Sequence, residues 1–406
     1  MPTGGAGPAH PAGARSRLGI EPVAATGAAL ASIACALPFA VLRPNRLAPG
    51  ESHGILAAGV WGWALLFVVV VTWALAVLDI GRLRGRALLF AAVCLVAVAS
   101  FAQGAATVAL LEGMPTSARV SAGGGPWLML AAALAVAMAG AAMPDSPGWA
   151  LPAAGAAVLV AVAAAVAFGG LDQTSLAREL SIRTDRFWTQ ALEHVYLTGA
   201  GLGLGLLVGV PLGVWASRNK IVRDISLYTV SIIQTIPSLA VLGLLIAPLA
   251  ALAAAYPVLA ALGVRGIGTT PAVIALTLYA LLPIVRNTYT GLIEVDEAAR
   301  DAALGMGMSR WQLLRRVEIP LALPLLIEGV RLAAVLLVGI TALTALNGAG
   351  GLGFFIFEGL NQAAPDLILL GSLPTIALAV VFDLALRAMA RLLVPEGLRV
   401  SGEAAL

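Results

Sequence analysis

The stretch that decides the reading runs from Val295 to Pro324, VDEAARDAALGMGMSRWQLLRRVEIPLALP. It is the longest polar interruption in the second half of a very apolar chain. Asp296, Glu297, Arg300, Asp301, Arg310, Arg315, Arg316 and Glu318 lie in it, between two membrane-grade runs. Asp296 can cap a short Ala-rich helix over 297–304, because its carboxylate can accept from the first unpaired amides. Gly305 and Gly307 break that helix, since glycine takes up turn angles without strain. Ser309 and Gln312 have the spacing of a capping box, which starts a second short helix at Arg310. Pro320 and Pro324 are expected to end it. A helix, a bend and a helix at a membrane surface form a small rigid knob, suited to docking something outside the membrane.

The rest of the chain supplies that membrane. Hydrophobic residues make up 60% of it and charged residues 11%, with mean hydropathy +0.97; soluble domains carry about 25% charged residues. About 20 apolar residues cross a bilayer as a helix. Ten candidate spans result, roughly 22–42, 55–79, 87–111, 127–144, 149–169, 195–217, 225–250, 270–291, 325–346 and 368–391. The fold class is therefore all-α and integral to the membrane, and the runs are too long for barrel strands. The expected organisation is a disordered tail over 1–21 and a five-helix extension over 22–169. A polar extracytoplasmic linker over 170–194 ends in an amphipathic interfacial helix anchored by Phe187, Trp188 and Tyr196. A five-helix core over 195–392 contains the knob at 294–324, and a tail covers 393–406.

Basic residues in short loops set orientation. Arg82, Arg84 and Arg86, then Arg218, Lys220 and Arg223, then Arg310, Arg315 and Arg316, then Arg391 and Arg399 share one side if both termini are cytoplasmic. Arg43 and Arg46 vote the other way. The weight of charge puts the knob in the cytoplasm. A net charge of +3 is no sign of nucleic-acid binding.

Three further patterns lie in the core. Gly201, Gly205, Gly209 and Gly213 repeat every four residues and make one flat helix face, on which membrane helices pack closely. Gln234, Thr235, Pro237 and Ser238 interrupt the seventh span. A proline kink with polar neighbours is tolerated at mid-membrane where it faces protein or a watery path. A gate and a purely structural kink are both consistent with it. Asp383 lies inside the tenth span, where a carboxylate is a functional candidate, and Arg387 stands four residues on, placed for a local ion pair. The apolar piece from Ala251 to Gly268 reads as re-entrant or interfacial.

Catalytic chemistry is absent. A nucleotide-binding loop needs Gly-Lys-Ser/Thr, and the single lysine, Lys220, stands between Asn219 and Ile221. Gly348, Gly350 and Gly353 match a dinucleotide pattern, but they come after a membrane helix rather than a strand, so a turn is the better reading. His10, His53 and His194 have no metal-ligand spacing. Cys35 and Cys94 sit in apolar runs as small core residues. No metal and no cofactor is expected.

The knob resembles the cytoplasmic loop of ABC-importer permeases, whose pattern is Glu-Ala-Ala, three residues, Gly, nine residues, then Ile-x-Leu-Pro. With the family's glycine on Gly307, Val317 and Ile319-Pro320 take the terminal positions, and Asp301-Ala302-Ala303 takes the Glu-Ala-Ala position. Glu297-Ala298-Ala299 lies four residues out of register and reads as a lead-in. Further segments narrow the likeness. Among them are Gly209-Val210-Pro211-Leu212-Gly213, Gln234-Thr235-Ile236-Pro237-Ser238, Leu281-Leu282-Pro283-Ile284-Val285-Arg286-Asn287-Thr288-Tyr289, Gly348-Ala349-Gly350-Gly351-Leu352-Gly353 and Asp366-Leu367-Ile368-Leu369-Leu370-Gly371. From about Arg186 to Arg399 the chain is similar to permeases of osmoprotectant importers for glycine betaine, choline and related quaternary ammonium compounds. It resembles the subset with an N-terminal membrane extension.

The resemblance implies a MetI-like permease core and no enzymatic activity of its own. It implies a permease homodimer or paralogous heterodimer in the inner (cytoplasmic) membrane, in contact with lipid. ATP would be bound by separate cytoplasmic ATP-binding subunits, and substrate delivered by an extracytoplasmic binding protein. It assigns ATPase coupling to Glu297, Asp301, Ala302, Ala303, Gly307, Arg310 and Pro320. Two other classes compete: a secondary transporter of five plus five inverted spans, and a non-transporting membrane scaffold or sensor. The loop from Glu112 to Pro126, the knob's counterpart in an inverted repeat, is short and Gly-rich, which weighs against the first.

Overall fold

The computed structural model describes residues 19–45, 48–144, 146–168 and 171–393. His10, Arg46, Arg399, nearly all of the tail expected over 1–21 and all but Leu393 of the tail over 393–406 lie outside the described residues. Cα proximity divides the chain into two units, Met1–Arg178 and Glu179–Ala405.

The first unit holds α1 (Pro22–Ala36), β1 (Ala40–Arg43), β2 (Glu51–His53), α2 (Val60–Val77), α3 (Arg84–Leu111), β3 (Arg119–Ala122), α4 (Gly124–Ala141) and α5 (Ala150–Ala167). α6 (Ser175–Ile182) straddles the division. The strands form one antiparallel sheet in the order β2-β1-β3, with Ala40 opposite both His53 and Ala122. Alternation along β1 buries Ala40 and Leu42, as the two-residue period of a strand requires. Close helix contacts carry the packing. A Cβ added at Gly27 of α1 would stand 2.7 Å from Val136 Cγ2 of α4, and one at Gly140 of α4 2.7 Å from the Gly85 carbonyl of α3.

The second unit holds α7 (Thr184–Ala216), α8 (Lys220–Thr235), α9 (Ser238–Ala255), α10 (Pro257–Ala261), α11 (Thr269–Ile293), α12 (Glu297–Gly305), α13 (Arg310–Leu313), α14 (Ile319–Leu343), α15 (Gly353–Asn361) and α16 (Pro365–Leu393). α11 is its axis, packed against α7, α8, α9 and α14. Leu197, Leu242, Leu276, Tyr279, Ile284 and Leu337 are the large side chains of its main buried cluster.

Among the described residues nine helical segments are long and apolar enough to cross a membrane, four in the first unit and five in the second. The tenth expected span is α1, which has 15 residues. At 1.5 Å per residue it reaches about 22 Å, short of a hydrocarbon core of about 30 Å. It stops because Leu37 precedes Pro38 and turns extended, as residues before proline do. Two further expectations are corrected. The interfacial helix is not separate: Phe187, Trp188 and Tyr196 lie on the leading turns of the 33-residue α7. The span at 225–250 is not continuous, being broken between α8 and α9.

Candidate functional site

The knob starts where α11 ends. The Asp296 carboxylate accepts from the Ala298 amide at 3.0 Å and opens α12. The helix closes through Met306 N–H to Ala302 and Met308 N–H to Ala303 at 3.1 and 3.2 Å, with Gly307 at φ +80°. That angle suits glycine and strains other residues. Ser309 then caps α13 in a reciprocal box: its hydroxyl accepts from the Gln312 amide at 3.3 Å and its own amide donates to Gln312 Oε1 at 2.8 Å.

Pro320 does not end the second helix. The helical path from Arg310 runs unbroken to Asn347, through Pro320 and Pro324. Pro320 lacks an amide donor, and its ring would press on the carbonyl four residues earlier. The backbone widens into a π-turn over Leu314–Glu318 and passes the proline. Such turns cluster at functional sites.

α12 has two faces. Ala303 is buried and Arg300 half-buried, toward the chain. Glu297, Asp301 and Ala302 are exposed. Glu297 and Asp301 are four apart and therefore share a face, so the two Ala-Ala registers present their acids together. Arg310 is exposed at the start of α13, and Pro320 is half-buried. The same helix-bend-helix carries three exposed apolar side chains that sequence reasoning passed over: Leu304 at 48% exposure, Met306 at 70% and Trp311 at 65%. Contiguous exposed apolar groups rimmed by charge mark protein contacts, and tryptophan is a frequent anchor in them.

Behind the knob sits Glu318, whose side chain has no exposed area. Arg218, in the turn after α7, grips it in a two-pronged hydrogen bond: Nη1 to Oε1 at 3.2 Å and Nη2 to Oε2. Arg300 Nε lies 3.1 Å from Oε1, and Arg300 Nη2 donates to the Leu292 carbonyl near the end of α11. At the start of α8, Arg223 Nε donates to Asp224 Oδ1 at 2.8 Å, and that bond holds the Asp224 carboxyl below its ordinary range. Glu318 stood in the quoted stretch as one charge among eight, and no local signal ranked it.

The break between α8 and α9 contains Gln234, Thr235, Pro237 and Ser238. Ile236 is extended before Pro237, and its freed carbonyl accepts from the Tyr279 hydroxyl. Gln234 Nε2 returns a bond to the Tyr279 carbonyl at 3.1 Å, and the Thr235 hydroxyl donates to Ile232 O at 2.7 Å. Thr235 and Pro237 are exposed; Gln234 and Ser238 are half-buried. Pro237 thus starts a new helix instead of kinking one.

The four glycines of α7 all meet α11. Added Cβ atoms at Gly201, Gly205, Gly209 and Gly213 would stand 2.5, 2.6, 2.8 and 2.6 Å from Leu276, Ala280, Ile284 and Thr288. Two helices thus mesh with the same four-residue step. Earlier on α7, buried His194 bridges α14 and the glycine turn: Nε2 lies 3.0 Å from Val338 O, and Nδ1 accepts from Leu352 N–H at 3.2 Å. Gly348, Gly350 and Gly351 have positive φ and form that turn. Asp383 pairs with Arg387 at 2.8 Å, as its spacing suggests, and also with Arg331 of α14 at 2.5 Å.

Comparison with known proteins matches residues 205–396 to the binding-protein-dependent transport system inner membrane component, and residues 16–177 to the N-terminal domain of the ABC transporter permease YehY. The chain is 41% identical over 214 residues to the carnitine transport permease protein OpuCB of Listeria monocytogenes, covering 53% of this chain and 91% of that one. It is 40% identical over 207 residues to the osmoprotectant import permease protein OsmW of Salmonella typhimurium, covering 51% and 91%. The glycine betaine/carnitine/choline permease OpuCB of Bacillus subtilis is 39% identical over 207 residues, covering 51% and 88%. Among solved structures, an inward-facing MetNI methionine ABC transporter chain aligns with TM-score 0.45 at 24% identity, covering 52% of this chain and 97% of that chain. The chain belongs to the permease family of ABC importers, in its osmoprotectant-uptake branch and with a YehY-type N-terminal membrane domain, and is a transport subunit rather than an enzyme.

Proposed function

We propose that the chain is the membrane-spanning subunit of an ATP-driven importer for small quaternary ammonium osmoprotectants such as glycine betaine, choline or carnitine. The relatives' substrates support the solute class. Energy reaches it through the knob, onto which a separate cytoplasmic ATP-binding subunit docks. The observation that carries this reading is the exposed surface of α12 and α13, which presents Glu297 and Asp301 together with Leu304, Met306 and Trp311. Ala302, Gly307 and Arg310 are exposed with them, and buried Ala303 and half-buried Pro320 support the knob from behind. Two permease copies, alike or paralogous, take substrate from an extracytoplasmic binding protein, and both termini lie in the cytoplasm. The Gln234–Ser238 break serves as the gate, because exposed Thr235 and Pro237 would otherwise face lipid at a broken helix. Residues 22–169 form the extension and 195–392 the permease core.

Asp301→Lys tests the dock. It places a cation where the partner would meet an acid, and unlike-to-like charge changes at an interface suppress binding strongly. Co-purification of the ATP-binding subunit should be lost while membrane insertion persists. Retained co-purification would refute the dock. Uptake that survives a hydrolysis-dead ATPase, or that runs on a proton gradient alone, would instead favour a secondary transporter.

A further inference from the structure

We propose that Glu318, held by Arg218 and Arg300, is the positioning joint that carries a displacement of α12 into the membrane helices. The inference rests on reading α12 as the ATPase dock. It adds how the load leaves the dock.

α12 is poorly suited to transmit force by apolar packing. Ala303 is its single buried residue, and one methyl group buries little apolar area. What fixes the helix is ionic. Arg300 projects from its inner face to Glu318 and to the Leu292 carbonyl. Glu318 lies where the π-turn passes into α14. Arg218 closes the joint from the turn after α7. One carboxylate thus gathers the ends of α7, α11 and α14 around α12. Among the described residues Glu318 is the one carboxylate with no exposed area at all. Burying it without both arginines would be costly, because a low-dielectric site penalises an unpaired charge. The two-pronged Arg218 contact also fixes orientation, which a point contact would not.

The π-turn adds an independent argument. Successive α-helical residues are turned about 100° from one another, so the extra residue in the π-turn rotates the later side chains about the helix axis. Glu318, the last residue of that turn, is buried, while Arg315 and Arg316 of the same turn are exposed. Charge geometry and backbone irregularity therefore converge on one residue that the docking face does not use.

The test uses the full permease reconstituted in liposomes with its ATP-binding subunit and binding protein, reading ATP hydrolysed, solute imported and subunit retention together. Glu318→Gln keeps the shape and removes the charge. It should retain the ATP-binding subunit and hydrolysis, while solute moved per ATP falls by about tenfold, within the usual range of coupling between sites. Arg218→Gln should do the same, and the double variant should be no worse than either single one, because the pair acts as a unit. Arg218 is partly exposed, so its variant carries the test if Glu318→Gln fails to insert. Glu318→Asp should recover part of the ratio. Unchanged solute per ATP in Arg218→Gln overturns the proposal. So does a parallel fall of hydrolysis, import and melting temperature, which marks a merely structural pair. Failure of the dock itself has a different signature: Asp301→Lys would keep the ATP-binding subunit, and the joint would then have no load to carry.

Discussion

The unit before Glu179 and the unit after it both pack apolar helices, yet they use buried polar groups differently. In the first, Arg84 is buried and donates to the Leu75 and Ala76 carbonyls at 3.0 and 2.6 Å, sealing the end of a neighbouring helix. Thr72 and Thr107 bond back to their own helix. In the second, Ser226 and Thr344 also bond back within their own helical path, but other buried polar groups reach across elements: His194 to α14 and the glycine turn, Thr198 to Thr341 at 3.0 Å, and Glu318 to two arginines. Polar groups spent on helix ends make a wall. Polar groups placed between helices hold them in a chosen arrangement, and fix where that arrangement can change.

The sharpest way to break this comparison is to wedge the core. Gly205→Leu drives a side chain into Ala280 and Ile284. Overpacking of this kind costs about 1–3 kcal/mol, and more where the backbone cannot yield, so the variant should lose its monodisperse peak after detergent extraction. Gly203 on the same helix has nothing within 4 Å of an added Cβ, and Gly203→Leu should behave as wild type. Equal behaviour of the two would show that close α7–α11 packing does not hold the core together. A smaller effect is expected from deleting residues 1–178. Each unit has its own buried cluster, so the remaining core should insert and import solute at a rate within about threefold of the whole chain, a change of under 1 kcal/mol in barrier. Failure of the core to accumulate would make the first unit part of its fold.

How much of the molecule was legible in its sequence depends on the range of each interaction. Asp296, Ser309 and Gln312 find their partners within three residues, so both helix starts in the knob were readable from spacing. The glycine period of α7 named a face but not its partner, because the matching step on α11 runs through Leu276, Ala280, Ile284 and Thr288, side chains of no common type. Pro320 read as a stop, since proline removes an amide; the escape through a π-turn depends on the whole helix being anchored below it. α1 looked long enough on apolarity, and Pro38 cut it. Glu318 was hidden most fully. Its partner Arg218 lies 100 residues upstream, and nothing local separates it from Arg315, Arg316 or Asp301.

The smallest predicted effect concerns the first unit. Gln103 lies in α3 at 7% exposure, and neither atom of its side-chain amide has a hydrogen-bond partner. A buried amide left unpaired costs about 1–3 kcal/mol. Gln103→Leu keeps the volume and removes the penalty, so it should raise the melting temperature of the detergent-extracted chain or leave it unchanged, with import unaffected. In the second unit the equivalent exchange has the opposite sign, because His194 is paired at both nitrogens: His194→Leu leaves the Leu352 amide unpaired and removes one bond to the Val338 carbonyl, which keeps its helical partner, and should lower stability by about 2 kcal/mol. If Gln103→Leu destabilises instead, the amide has partners of its own, and the first unit would then share with the second the use of polar groups as joints.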